Sequence, residues 1–345
     1  MEALVKYKSG KGFCEVREVA EPVPGDDEVL IRIKAAGICG SDLHFYDGSL
    51  TSCIPPVILG HEFSGEIEQV GKNVVHFRKG DRVVAEAHKG GCGLCAHCLT
   101  GKVEICDNKK AAGYKIDGCF APYLALPEFA LHRIPENLTF EQAALVEPLA
   151  IGVKGVLERA RVEAEDFAVV LGCGPIGLLA AAAVRAEGAR KVMITGTGRD
   201  EKVRLPAAAK MNIDFTVNIE KEDIVEKVMG LTNGRGADLV IDACGAEPAI
   251  HQAFEIIRKE GRISAIGHTG RDTLSVPWEK ALMKSVQLTW SHSSNWTSWE
   301  RAISILAGGK IDVDPLISYS FPLREWKKAF DLLEQMEAIK ILLIP

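Results

Sequence analysis

Apolar positions along this chain change their period near the middle. Between Leu4 and Lys34 they fall in short alternating segments broken by Glu21-Pro-Val-Pro-Gly25, and the last of them, Glu28-Val-Leu-Ile-Arg-Ile-Lys34, predicts a β-strand in a β-rich domain. Residues 134–145 predict a turn and a helix. Beyond about residue 152, short unbroken apolar runs alternate with helical stretches, the pattern of strands covered on both faces of a parallel sheet. Six strands are predicted there, over 167–171, 190–195, 215–218, 237–243, 262–267 and 285–290. A helix over 224–229 closes at Gly230, and another opens at Pro248 and ends at Gly261. Trp299, Ala302, Ile303 and Leu306 then share one helical face and read as core.

The run 167–184 carries no charge over 18 positions, which suits a membrane span. Gly-Cys-Gly-Pro at 172–175 divides it into a strand, a turn and a helix start, and neither half is long enough to cross a bilayer. The glycines are spaced Gly172-x-Gly174-x-x-Gly177. The first permits a tight turn, the second lets a pyrophosphate approach the backbone, and the third lets strand and helix pack closely. The helix opening at Pro175-Ile176 then points its N-terminus at an anion. The strand over 190–195 ends about 20 residues past these glycines, where such a fold meets the adenosine ribose, and Gly196, Thr197 and Arg199 follow it.

Length allows about two domains for 345 residues. A net charge of −6 lacks the basic excess that a nucleic-acid backbone requires, so no nucleic acid is expected as partner. Met1-Glu-Ala-Leu-Val-Lys6 has no basic region followed by an apolar core, and a cytoplasmic protein without membrane attachment is expected. Ten cysteines in such a chain argue for metal ligands or buried thiols over disulfides.

Their spacing points to metal. Cys92-x2-Cys95-x2-Cys98-x7-Cys106 puts four thiolates in one short loop, enough to close a tetrahedron around a structural zinc, with a redox-active thiol cluster as the lesser reading. His97 lies between these ligands as a solvated bystander. Upstream, Ala36-Gly-Ile-Cys-Gly-Ser-Asp-Leu-His44 and Gly60-His-Glu-Phe-Ser-Gly65 supply a thiol, an imidazole and a carboxylate, the donor set of a catalytic zinc that keeps one position open. Cys39 alone would more often be core, and His61 alone a satisfied buried histidine.

Gly60-His61-Glu62, with Gly65, Gly71 and Cys39-Gly-Ser-Asp at their intervals, resembles the signature of zinc-dependent alcohol dehydrogenases in the medium-chain dehydrogenase/reductase superfamily, and the resemblance covers essentially the whole chain. It implies an α/β protein: a β-rich GroES-like catalytic domain over 1–151 and 292–345, with a structural zinc lobe at 88–111, and a doubly wound parallel-sheet (Rossmann) cofactor domain over 152–291. Two zinc ions per chain follow, the catalytic one held by Cys39 and His61 with Glu62, Glu147 or both. Ser41 and His44 match positions that relay the alcohol proton. Glu147 stands where many alcohol dehydrogenases carry cysteine and sorbitol-type polyol and threonine dehydrogenases carry glutamate, which points to a secondary alcohol or polyol as substrate, with threonine or 2,3-butanediol dehydrogenase as alternative. A zinc-stabilised nucleotide-fold binding protein is the non-enzymatic one. Where NAD-binding members usually carry aspartate, Gly196 with nearby Arg199 favours NADP(H) over NAD(H), although Asp200 could serve as the ribose acceptor. The family also suggests a homodimer or homotetramer, with 285–290 as a contact region.

Overall fold

The alternating segment at Glu28 becomes the middle strand, Glu28–Gly37, of a seven-stranded sheet in the computed structural model, which describes residues 1–345. One edge of this strand pairs antiparallel with Glu62–Val70. Its other edge is shared by Tyr123–Pro127 and Lys340–Ile344. Register shifts at Leu30/Ile31 and Ile33/Ala35 bend the pair, as bulges do, while Arg32 on one face stays exposed. The pairing ends with Gly37 opposite Glu62, so the sheet delivers Glu62 and the chain running to Cys39 to one place. A small sheet of Cys14–Glu18, Glu2–Lys6 and Val57–Ile58 completes the β-structure of this unit.

The second unit is a six-stranded, wholly parallel sheet in the order Phe215–Asn218, Lys191–Gly196, Phe167–Leu171, Ala237–Asp242, Ile257–Ala265, Gln287–Trp290. That is the doubly wound order with its switch point beside Phe167–Leu171. The two central strands are buried at every position, as their unbroken apolar runs predict. The uncharged run 167–184 divides into strand Phe167–Leu171 and helix Pro175–Ala186, and no helix of the structure is long and apolar enough to cross a membrane.

Three local expectations are corrected. The helix beginning at Ile224 runs through Gly230 to Leu231; Asp223 caps its start by accepting from the Val225 and Glu226 amides, and the Thr232 hydroxyl takes the Val228 carbonyl at its end. Gly261 does not end a helix. Helix Glu247–Ile256 gives way at once to strand Ile257–Ala265, and Glu260 and Gly261 lie at the bulge where pairing with Ala237–Asp242 shifts register. Residues Gly308–Leu316 group with the parallel-sheet unit, Pro148–His292, whereas Met1–Glu147, Ser293–Ala307 and Ile317–Pro345 form the other. Pro206 is the third residue of helix Arg204–Lys210, where its missing N–H leaves no bond unmade.

Candidate active site

Helix Gly40–Asp47 starts at Cys39, and a reciprocal cap fixes the start: the Asp42 carboxylate accepts from the Cys39 amide at 2.9 Å. This cap sets the Cys39 thiol beside His61. Donor atoms of Cys39, His61 and Glu62 lie within 4.8 Å of one another in buried surroundings. The second oxygen of Asp42, which is wholly buried, faces His61 Nδ1 at 3.9 Å, beyond hydrogen-bond distance, and neither atom has a hydrogen-bond partner. A buried imidazole with a carboxylate behind one nitrogen and a thiol beside the ring is the support that a zinc-bound histidine uses. These residues fit the metal.

Glu62 is not a free carboxylate. Both its oxygens accept from Lys340 Nζ, at 2.8 and 2.6 Å, and the same ammonium donates to the Ile38 carbonyl at 2.9 Å. Lys340 is 2 % exposed and Glu62 1 %, so the pair is a buried ion pair at the edge of the cluster. Glu147 lies outside the 4.8 Å group, in the first turn of helix Val146–Val153. Burial pushes its carboxyl up to about 7, with opposing influence from His61, reinforcement from Glu62 and opposition from Lys340 and Lys109. Ser41 sits one helical position from Asp42, and its hydroxyl accepts from Tyr114 at 3.0 Å. His44, one turn further on and exposed, bonds Ser49 Oγ at 3.0 Å through Nδ1.

The four-cysteine loop is of another kind. Cys92 and Cys98 sulfurs are 4.0 Å apart and those of Cys95 and Cys106 3.8 Å, near the edge of about 3.8 Å that a tetrahedron with Zn–S bonds of about 2.3 Å requires. A disulfide would need about 2.05 Å. Amides of Cys92, Cys95 and Cys98 point at neighbouring sulfurs, and the Leu94 and Cys95 amides bring the Cys92 thiol down to about 6. All four sulfurs are used in this closed set, and His97 is exposed, away from it.

In the parallel-sheet unit, Gly174 caps helix Pro175–Ala186 with Pro175 at its first position and Ile176 following. A Cβ at Gly177 would collide with the Gly172 carbonyl, so the close turn of the phosphate-binding arrangement needs glycine there. Gly196, at the end of Lys191–Gly196, has no room for a side chain: a Cβ would stand 2.6 Å from Cys173 Sγ and 3.2 Å from an Asp200 oxygen. Asp200 is buried and engaged, accepting from the Thr197 amide and hydroxyl at 2.9 Å each and from Arg204 at 3.2 Å. Arg199 is exposed.

Sequence reasoning missed Tyr114, Lys340 and Arg204, and met Asp42 only as a member of the Cys39-Gly-Ser-Asp signature, without a role. Only Lys340 left a signal, a lysine opening the otherwise apolar strand Lys-Ile-Leu-Leu-Ile. The others are ordinary polar residues until the fold brings them to their partners.

Residues 25–136 match the alcohol dehydrogenase GroES-like domain, and residues 175–308 the zinc-binding dehydrogenase domain. A sorbitol dehydrogenase of Halalkalibacterium halodurans is 38% identical over 345 residues, covering 100% of this chain and 99% of its own length. A D-arabitol-phosphate dehydrogenase of Enterococcus avium is 35% identical over 99% of this chain and 97% of its own. Among solved structures, a zinc-binding dehydrogenase of Sinorhizobium meliloti 1021 bound to NADP superposes with a TM-score of 0.92 at 29% identity, over 100% of this chain and 99% of that one. With the thiol, imidazole and carboxylate gathered as described and the glycine turn in its doubly wound sheet, the chain belongs to the zinc-dependent alcohol dehydrogenases of the medium-chain dehydrogenase/reductase superfamily and is an NAD(P)-linked alcohol or polyol dehydrogenase.

Proposed function

We propose that this dehydrogenase oxidises a secondary hydroxyl of a sorbitol-like sugar alcohol to the ketose, with NADP(H) preferred over NAD(H) and two zinc ions per chain. The observation that carries the reading is the cluster of half-buried Cys39 with buried His61 and Glu62, with Ser41 on the adjoining helix and a second buried carboxylate, Glu147, in its electrostatic reach. Bound zinc would supply Lewis-acid stabilisation of charge on the alcohol oxygen, and a bound nicotinamide would supply the hydride acceptor. Cys39 and His61 hold the metal, with Glu147 or Glu62 as the carboxylate ligand, and Cys92, Cys95, Cys98 and Cys106 hold the second ion. Ser41 receives the proton that the alcohol gives up, and His44 carries it towards solvent. Glu147 in place of a thiolate gives a vicinal hydroxyl a carboxylate to bond, and both relatives named above act on polyol-type substrates by their names.

For the cofactor, Gly196 leaves no carboxylate at the ribose position, Asp200 is already engaged, and Arg199 is free to meet a 2'-phosphate at the surface. Arg199→Ala then weakens NADP binding about tenfold or more, one charge-assisted bond, and leaves NAD unchanged; equal affinities before and after would remove the NADP reading. A second copy of the chain is the expected partner at edge strand Gln287–Trp290, where Trp290 is 66% exposed and Trp278 and Met283 are 74% and 70% exposed nearby in sequence.

Initial rates of nicotinamide reduction test the whole reading, with NAD+ and NADP+ against polyols, butanediol, threonine and simple alcohols, with and without a zinc chelator. Chelator-sensitive turnover of a polyol is expected. Much faster turnover of simple primary alcohols would end the polyol assignment, and a preference for threonine or butanediol would replace it.

A further inference from the structure

Tyr114 belongs to neither motif that carries the family resemblance, yet it is the residue most closely engaged with Ser41. Its backbone is fixed by the Ile54 amide, which donates to its carbonyl at 2.8 Å. Its ring stands edge-on to Phe45 at 4.7 Å and to His61 at 5.3 Å, so the phenol spans from the metal cluster to the helix that carries Ser41. The hydroxyl then donates to Ser41 Oγ at 3.0 Å.

We infer that Tyr114 is a positioning residue for the proton relay, its hydroxyl fixing which lone pair and which direction Ser41 has left for the alcohol. A serine hydroxyl has one proton to give and two lone pairs to accept with. Tyr114 occupies one lone pair, leaving one acceptor and one donor, the minimum a relay needs, and it removes the rotamers in which Ser41 turns away. The alcohol proton arrives at the free lone pair as Ser41's own proton leaves in the direction of His44, and Tyr114 keeps its proton throughout. Donation from Tyr114 also polarises the Ser41 O–H, which makes that proton easier to pass on.

This inference rests on the relay role of Ser41 proposed above, and the test separates the two. Four proteins are compared, the wild type, Y114F, S41A and Y114F/S41A, for kcat and KM with the preferred alcohol, zinc content, and dinucleotide affinity by fluorescence titration. Phenylalanine keeps the ring contacts. Y114F is expected to lower kcat about tenfold, the scale of one hydrogen bond, with KM within about twofold and zinc content and dinucleotide affinity unchanged. S41A loses more, and the double variant is no slower than S41A alone. A Y114F enzyme as fast as wild type beside an impaired S41A overturns the inference and leaves the relay standing. A further tenfold loss on adding Y114F to S41A also overturns it, since Tyr114 would then act without Ser41. Full activity in S41A removes the relay reading and this inference with it.

Discussion

The two metal-ligand clusters teach more side by side than either does alone. Cys92, Cys95, Cys98 and Cys106 come from one loop in which, between residues 89 and 111, Cys106 alone is buried, while Leu94 and Leu99 are 83% and 73% exposed. Such a loop has no apolar core, and cross-linking through a metal is what can hold it. Cys39, His61 and Glu62 are instead set in the core of a seven-stranded sheet, and their positions follow from packing and from Asp42 and Lys340. In the reading proposed above, the first cluster would stabilise its loop through a metal with no position left for substrate. The second is made by the fold and keeps its chemistry available.

That contrast can be broken by exchanging the expected phenotypes. Cys39→Ser is expected to lower kcat/KM by about 10³-fold or more, the loss of several kcal/mol of Lewis-acid stabilisation, with little change in thermal midpoint. Cys98→Ser should lower the thermal midpoint by several degrees, and its folded fraction should keep most of its turnover. Each variant should lose one zinc by metal analysis, and the reverse pattern of activity and stability would overturn the assignment of roles. Next in size, Lys340→Met strands the Glu62 carboxylate in the core and is expected to cost about 3–5 kcal/mol in denaturant unfolding. Lys340→Met with Glu62→Leu should recover most of that. No recovery would mean that the strand, and not the ion pair, needs Lys340. The smallest effect should come from Asp42→Asn, which weakens the carboxylate behind His61 and is expected to lower zinc affinity at the catalytic cluster about 10–100-fold by chelator competition. The thiolate loop should keep its ion.

The same contrast explains what the sequence discloses. The thiolate loop is legible because donors and geometry are local, and the spacing of four cysteines is itself the signal. The doubly wound sheet is legible for a similar reason, since each buried strand is an unbroken apolar run and the glycine turn is contiguous. The Cys39 cluster offers its donor types in the sequence but not their meeting, which the resemblance alone implies, because Cys39, His61 and Lys340 come together by non-local pairing of strands Glu28–Gly37, Glu62–Val70 and Lys340–Ile344. Glu62 has no local cue that its carboxylate is engaged by a lysine 278 positions away. Gly230 and Gly261 misled for the opposite reason: local propensity favoured a helix stop at each, and tertiary packing overrode it with a continued helix and a bulged strand.

The Lys340 contact also sets an order of events during synthesis. A ribosome delivers residues 92–106 early, and their sulfurs need nothing further from the chain to surround an ion. The catalytic cluster has its anchored carboxylate only once residue 340 has emerged and its strand has docked on Glu28–Gly37. Under the two-ion reading proposed above, metal would enter the nascent protein in two instalments, the ion of the four-cysteine loop before that of the Cys39 cluster.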